Sequence, residues 1–320
     1  MIMSAIVKHP FLQRLLRVPP AYYVFAILLI TLWIARPHML NANIMGIFIR
    51  QVAPLGVLVL AQLLVMRVKS IDLSGGGILL LVNYVISSGI FPGASMPFFI
   101  GLSLAIGTAI GLFNGWMIGK RRVSAVIVTL AVSIILVGFV QYLSSGKPPG
   151  DVPSYLNDIY NIKWGPAPVP VLFWFALTVV MALFLSKTVF GRYVTSVGEN
   201  PEAAHFSGVP VERTVILAHT LAGFIAAVAA LVQTASIAVG SVRVGLDLPI
   251  LAVAATILGG VVFGRGEGGV WGPFFGVLSF ALLFVVMTTF GIDDPGKLIA
   301  QGLIILLAAI FYGIRTSRSN

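Results

Sequence analysis

Val197–Pro210, VGENPEAAHFSGVP, is the most polar run between two long apolar segments, residues 169–190 and 212–239. Asn200-Pro201 reads as a helix start. Asn200 offers a side-chain oxygen to free N–H groups, and Pro201 stands at the first helical position, where no N–H is missed. Glu202 puts negative charge in the first turn, at the positive end of the helix dipole. Gly208 and Pro210 end the helix after Phe206. The expected product is a short helix lying across a membrane surface rather than through it. Small residues with one aromatic suit a docking knob for another protein; an ordinary turn between helices has the same composition.

Outward from this stretch the chain is lipid-compatible. Of its 320 residues 58% are hydrophobic and 9% charged, with a mean hydropathy of +1.04. A soluble core of that composition would have nothing with which to cover its surface, so the chain reads as a polytopic membrane protein. The absence of cysteine removes disulfides, thiol nucleophiles and thiolate metal sites. Residues 1–20 form a basic lead without an A-x-A-like cleavage site and are expected to stay uncleaved and cytoplasmic.

A membrane span needs about 17–25 mostly apolar residues, fewer where protein buries a broken one. The candidates are 21–35, 45–66, 73–91, 96–118, 123–143, 169–190, 212–239, 247–263, 270–290 and 297–314. The expected fold is therefore an all-α transmembrane bundle of about ten spans in a single domain, 1–320. The third and eighth spans are short and open on Gly or Pro, as broken or re-entrant helices would. With both termini cytoplasmic, Lys8, Arg14, Arg17, Arg67, Lys69, Lys120, Arg121, Arg122, Lys187, Arg192, Arg213, Arg265, Arg315 and Arg318 fall inside. Only Arg36, Lys147, Lys163, Arg243 and Lys297 fall outside, and Arg50 lies within a span. That is the positive-inside bias, and it accounts for the +10 net charge without nucleic acid. Residues 144–168, with five prolines, read as an irregular periplasmic loop, and 194–211 as a cytoplasmic segment.

Gly198, Asn200, Ala203, Ala204, Ser207 and Gly208 reproduce the pattern G-x-N-x-x-A-A-x-x-S-G. In this the chain resembles the permease subunits of ATP-binding-cassette importers of the ribose/xylose/arabinose/galactose type. Further matches run from about Ile49 onward: Arg50-Gln51-Val52, Ile71–Ser74, Gly111–Gly115, Arg121–Thr129, Gly259-Gly260 and Val270-Trp271-Gly272. The chain departs from the pattern at Lys69-Ser70, where two glycines are usual, and at Gly75, Ala227, Ala230, Glu267 and Pro273. The resemblance implies a permease for a sugar, with a branched-chain amino acid or an autoinducer as alternatives. It implies a coupling helix whose residues are Gly198, Glu199, Asn200, Pro201, Glu202, Ala203, Ala204, Ser207 and Gly208. It also implies four kinds of partner: an ATPase subunit that holds ATP and magnesium, a periplasmic solute-binding protein, a second permease and membrane lipid.

No G-x-x-x-x-G-K-[ST] occurs, so a P-loop is not expected, and GRGEGG at 264–269 reads as a tight turn. G-x-S-x-G is also missing. His9, His38, His205 and His219 are scattered, with no carboxylate-supported set expected. No enzyme, metal or cofactor site is expected on this chain. Polar residues within spans are costly against lipid and mark a pathway or a helix–helix bond. They are Arg50, Gln51, Gln62, Asp72, Ser74, Asn83, Asn114, Thr129, Gln141, Gln233, Asp247 and Gln301. Gln51, Asp72, Ser74, Asn83, Asn114 and Asp247 are the substrate-pathway candidates. The echo of Ile71-Asp72-Leu73 in Leu246-Asp247-Leu248, before each short span, suits an inverted repeat, although Asp72 or Asp247 would equally serve an ion-coupled transporter. Gly107, Gly111, Gly115 and Gly272, Gly276 fall at four-residue spacing, which fits close packing within the chain or a seam between two permeases.

Overall fold

The computed structural model describes residues 18–261, 264, 266 and 268–317. Lys8, His9, Arg14, Arg17, Arg265, Glu267 and Arg318 lie outside the described residues. In chain order the structure has α1 (Pro20–Ala35), a 3₁₀ turn (Pro37–Leu40), α2 (Ala42–Met66), α3 (Gly75–Ser87), α4 (Met96–Gly119), α5 (Ala125–Ser144) and α6 (Ser154–Asn161). A two-stranded ribbon follows, β1 (Lys163–Trp164) with β2 (Ala167–Pro168), antiparallel with Lys163 opposite Pro168. Then come α7 (Val169–Lys187), α8 (Val189–Glu199), α9 (Pro201–Phe206), α10 (Val211–Ile237), α11 (Leu248–Leu258), α12 (Trp271–Thr289) and α13 (Asp294–Ser317).

Each of the ten apolar stretches contains a helix, and among the described residues six of the helices (α2, α4, α5, α7, α10, α12) are long and apolar enough to cross a membrane. The third and eighth are short: α3 has 13 residues and α11 has 11. At 1.5 Å per residue they reach about 20 and 17 Å, less than the ~30 Å hydrocarbon thickness. Their N-termini meet. A Cβ on Gly76 would lie 3.3 Å from the Gly245 carbonyl oxygen and 3.3 Å from Pro249 Cγ, so the first turn of α3 packs on the segment that enters α11.

The loop 144–168 is corrected from irregular to partly helical. In α6, SYLNDIYN, Leu156 and Tyr160 share one face at i, i+4 and are buried. That helix answers a need in α2, where Pro54 has no N–H to give the Arg50 carbonyl. Tyr160 supplies the missing donor, its hydroxyl 2.8 Å from the Arg50 oxygen. Arg50 in turn bonds Asn161 Oδ1 at 2.8 Å and lies over the Tyr160 ring. Burial raises the Tyr160 hydroxyl pKa, and the Arg50 charge partly opposes that.

The bundle is built around α2, in which every residue from Ala53 to Met66 is buried. Trp174 of α7 lies against Gly56 and stacks on Phe274 of α12, with ring centroids 4.5 Å apart. Lipid tails are as apolar as leucine, so close packing must hold such helices together. The glycine rows provide it within this chain. Gly107 faces Gly223 and Ala227, Gly111 faces the His219 carbonyl, and Gly115 faces Ile216, which joins α4 to α10. Gly272 and Gly276 face Gly259 and Ala255 and join α12 to α11.

Candidate functional site

Residues 67–74 leave α2 and enter α3 through non-helical backbone, and buried backbone without a helix needs partners from elsewhere. Lys69 takes a left-handed φ of 61°, a conformation that suits glycine. The Leu73 N–H donates to Thr129 Oγ1 of α5 at 3.0 Å. Asp72 folds back on the α3 entry, its Oδ1 accepting from the Ser74 N–H at 2.8 Å and from the Ser74 hydroxyl at 2.6 Å. Asn114 of α4 donates to Ser74 Oγ at 2.9 Å. Ser70 Oγ and His219 Nε2 of α10 share a hydrogen bond of 2.7 Å.

His219 Nδ1 lies 3.6 Å from Asp72 Oδ2, and the histidine is fully buried. Where the sequence offered no carboxylate-supported set of histidines, the fold brings one carboxylate to one histidine. Asp72 and His219 are 147 residues apart in number, and only the fit of α10 beside the 67–74 linker brings them together. The cluster is thus Ser70, Asp72, Ser74, Asn114, Thr129 and His219, drawn from the linker and three helices. In sequence Ser70 stood out only as a departure from a glycine pair and His219 only as one of four scattered histidines. Asn114 Oδ1 and His219 Nδ1 have no hydrogen-bond partner in it.

The other pathway candidates lie apart from this cluster. Asn83 of α3 is buried and pins the loop after α10: its Oδ1 accepts from the Ser241 N–H at 2.8 Å and its Nδ2 donates to the Val239 carbonyl at 3.2 Å. Gln51 is exposed on α2. Asp247 is exposed at the start of α11. Gln62 and Gln301 are buried, Gln233 is half-buried and Gln141 is exposed.

The polar run around Asn200 folds as a separate short helix. Asn200 Oδ1 accepts from the N–H groups of Glu202 at 3.0 Å and Ala203 at 3.1 Å, so two free donors of α9 are capped. Gly208 has a φ of 80° and turns the chain into α10. Ala204 is buried, whereas Phe206 is 82% exposed and His205 lies exposed beside it. The exposed Phe206 ring touches the His205 ring, 5.9 Å between centroids, and otherwise stands open at the end of its helix among the described residues.

The helix before it, α8, overlaps the end of the span read at 169–190 and the start of the segment read at 194–211. Thr188 breaks that span, and its hydroxyl accepts from the Gly191 N–H at 3.1 Å to start α8. α8 then binds the end of α2. Gly198 packs on the Arg67 carbonyl, Thr195 Oγ1 accepts from Arg67 Nη2 at 2.7 Å, and Lys69 Nζ donates to the Glu199 carbonyl at 3.1 Å. Burial lowers the Arg67 pKa, and the Glu199 carboxylate opposes the shift. The linker that carries Asp72 is therefore gripped at its outer end by the helix that leads into α9.

A family model described as "Branched-chain amino acid transport system / permease component" matches residues 44–309. The L-arabinose transport system permease protein of Escherichia coli (strain K12) is 31% identical over 217 residues, 65% of this chain and 66% of that protein. The chain therefore spans just under two thirds of that relative's length. The ribose import permease protein of the same organism is 27% identical over 280 residues, 86% and 87% of the two chains. The autoinducer 2 import system permease protein of Enterobacter sp. (strain 638) is 30% identical over 278 residues, 87% and 81%. No solved structure matches the chain.

Proposed function

The chain belongs to the branched-chain amino acid transport system / permease component family, and from that premise we propose that it is the membrane subunit of a binding-protein-dependent ATP-binding-cassette importer for a sugar. It is a multi-pass inner-membrane permease rather than an enzyme. In this reading ten spans are embedded with both termini cytoplasmic, and α9 seats in a groove of a partner ATPase that holds ATP and magnesium. A second permease completes the pathway, and a periplasmic solute-binding protein delivers the sugar on the face of residues 144–168.

The observation that carries the reading is the exposed Phe206 on a capped, six-residue helix whose preceding helix grips the 67–74 linker. Motion of the ATPase would pull α9, α8 would pass the pull to Arg67 and Lys69, and the linker would shift the broken helix α3. The contribution of α9 is mechanical attachment, so it needs no reactive group. Asn114, Ser74 and Asp72 offer hydrogen-bonding groups to a sugar only if the linker opens, because Ser74 and Asn114 are fully buried as the structure stands.

The test is recovery of an ATPase with tagged permease from detergent. Wild type should bring down the ATPase with its hydrolysis activity, and Phe206→Ala or a scramble of Glu202–Gly208 should lose it while the permease stays in the membrane. An ATPase-free permease indifferent to the scramble would refute the reading. A second reading, an ion-coupled transporter, rests on the buried Asp72–His219 contact. Uptake that survives ATP depletion, collapses with the ion gradient and is abolished by Asp72→Asn would establish it instead.

A further inference from the structure

A cavity of about 690 Å³ opens where α2, α7 and α8 meet the start of α12. Its charged lining is Arg67 and Arg192, with the hydroxyls of Ser186, Thr195 and Ser196 and the indole of Trp271 beside them. Among the described residues no carboxylate lines it. Arg67 is held in place by Thr195, while its Nε is buried without a partner. Arg192 reaches no carboxylate among the described residues either. The three hydroxyls donate back to their own helices, to the carbonyls of Leu183, Gly191 and Arg192, so the guanidinium N–H groups are the donors left for a ligand.

The level of the cavity is set by its walls. α2 ends at Met66, α7 ends at Lys187 and α12 begins at Trp271, so it sits where three apolar helices stop. Trp271 is 40% exposed at its rim, the position an amphipathic ring takes at a membrane–water boundary. Next to it, on the side of α7 that lines the cavity, Phe175 is 47% exposed with its ring centroid 6.0 Å from that of Trp271, an apolar track running into the membrane. A free anion would use the arginines but leave that track and the ring unused.

We propose that this cavity binds the phosphate of an anionic membrane phospholipid, with Arg67 and Arg192 on the phosphate and the acyl chains along α7. Arginine suits the task because its planar fork holds phosphate oxygens in pairs. A basic pocket between spans at the headgroup level is the general form of such sites. The site is separate from α9 and stands whether or not an ATPase docks there.

The test uses purified full-length permease in nanodiscs of phosphatidylcholine doped with phosphatidylglycerol, with retained lipid counted by native mass spectrometry. Wild type should retain phosphatidylglycerol over phosphatidylcholine, and the preference should fall about five-fold for each of Arg67→Gln and Arg192→Gln. Arg192 is exposed, so its variant should fold as wild type does, and Arg67→Lys should keep part of the preference. Equal retention of the two lipids, or a preference unchanged in both Gln variants, would overturn the proposal. Displacement by inorganic phosphate as effective as by phosphatidylglycerol would overturn it in favour of a free anion. Lost ATPase recovery with lipid retention intact would overturn it in favour of a partner protein.

Discussion

Gly111→Val separates packing within the permease from packing between permeases. A Cβ at Gly111 would collide with the His219 carbonyl oxygen and lie 3.0 Å from Gly223 Cα and 3.1 Å from Gly223 N. All three are backbone atoms, which cannot rotate away as a side chain can, so α4 and α10 must separate. Overpacking of this kind costs about 1–3 kcal/mol, and the backbone setting puts Gly111 at the upper end. The control is Gly101→Val on the same helix, where nothing lies within 4 Å of the added Cβ. Both substitutions carry the same small gain of about 0.4 kcal/mol in helix propensity, so their difference isolates the packing. A gap near 3 kcal/mol is a change of more than one hundred-fold in the folded-to-unfolded ratio.

The seam also carries the cluster, with Asn114 on α4 and His219 on α10. Spreading it should lengthen the Ser70–His219 bond and cost transport beyond the loss of stability. The assay is denaturant unfolding of the purified permease, paired with its oligomeric state in detergent. Gly111→Val should be far less stable than wild type and Gly101→Val close to it, with the oligomer unchanged in the latter. Equal stability of the two variants, with dissociation of a dimer by Gly111→Val, would refute the reasoning and make the row a seam between copies.

Asn83→Ala leaves the Ser241 N–H and the Val239 carbonyl without their side-chain partner, so stability should fall by about 2 kcal/mol and protease should cut residues 238–247 sooner. A melting temperature and cleavage rate equal to wild type would count against that role. Lys69→Gly relieves a left-handed φ at a non-glycine residue and should stabilise the isolated permease by about 1 kcal/mol. It also removes the bond to the Glu199 carbonyl, so uptake per ATP hydrolysed should fall while the thermal midpoint rises. A lower midpoint would contradict the strain argument, and unchanged uptake would contradict the grip of α8 on the linker.

The helices were legible in sequence because apolar length is a local property, and so was α9, whose start and stop are encoded by Asn200, Pro201 and Gly208. The short third and eighth helices were legible from their Gly and Pro entries. Three features were not. The α7–α8 break rests on one threonine, and the apolar Val189 and Phe190 after it let hydropathy run across it. α6 was hidden by the prolines around it, although Leu156 and Tyr160 at i, i+4 were a usable signal. The Asp72–His219 contact is tertiary: His219 is one polar residue in a small-residue helix, and nothing local says which chain segment it faces.

The departure from the family pattern at Lys69-Ser70 acquires a physical meaning from this geometry. A glycine pair would give the turn at no strain but could not reach other helices. Here Lys69 accepts the strained φ and binds the end of α8, while Ser70 provides the hydroxyl that meets His219. The linker is thereby fixed at both ends: to the segment leading into α9 outside, and to α10, α5 and α4 inside through His219, Thr129 and Asn114. Hydrogen bonds of this kind contribute about 0.5–1.5 kcal/mol each. Exchanging the three inner bonds and the outer Lys69 bond together thus involves about 4 kcal/mol, comparable to the roughly 5.5 kcal/mol that carries a two-state equilibrium from one side to the other. A pull on α9 that strained the linker would therefore act on a set of bonds large enough to hold one state and small enough to be exchanged.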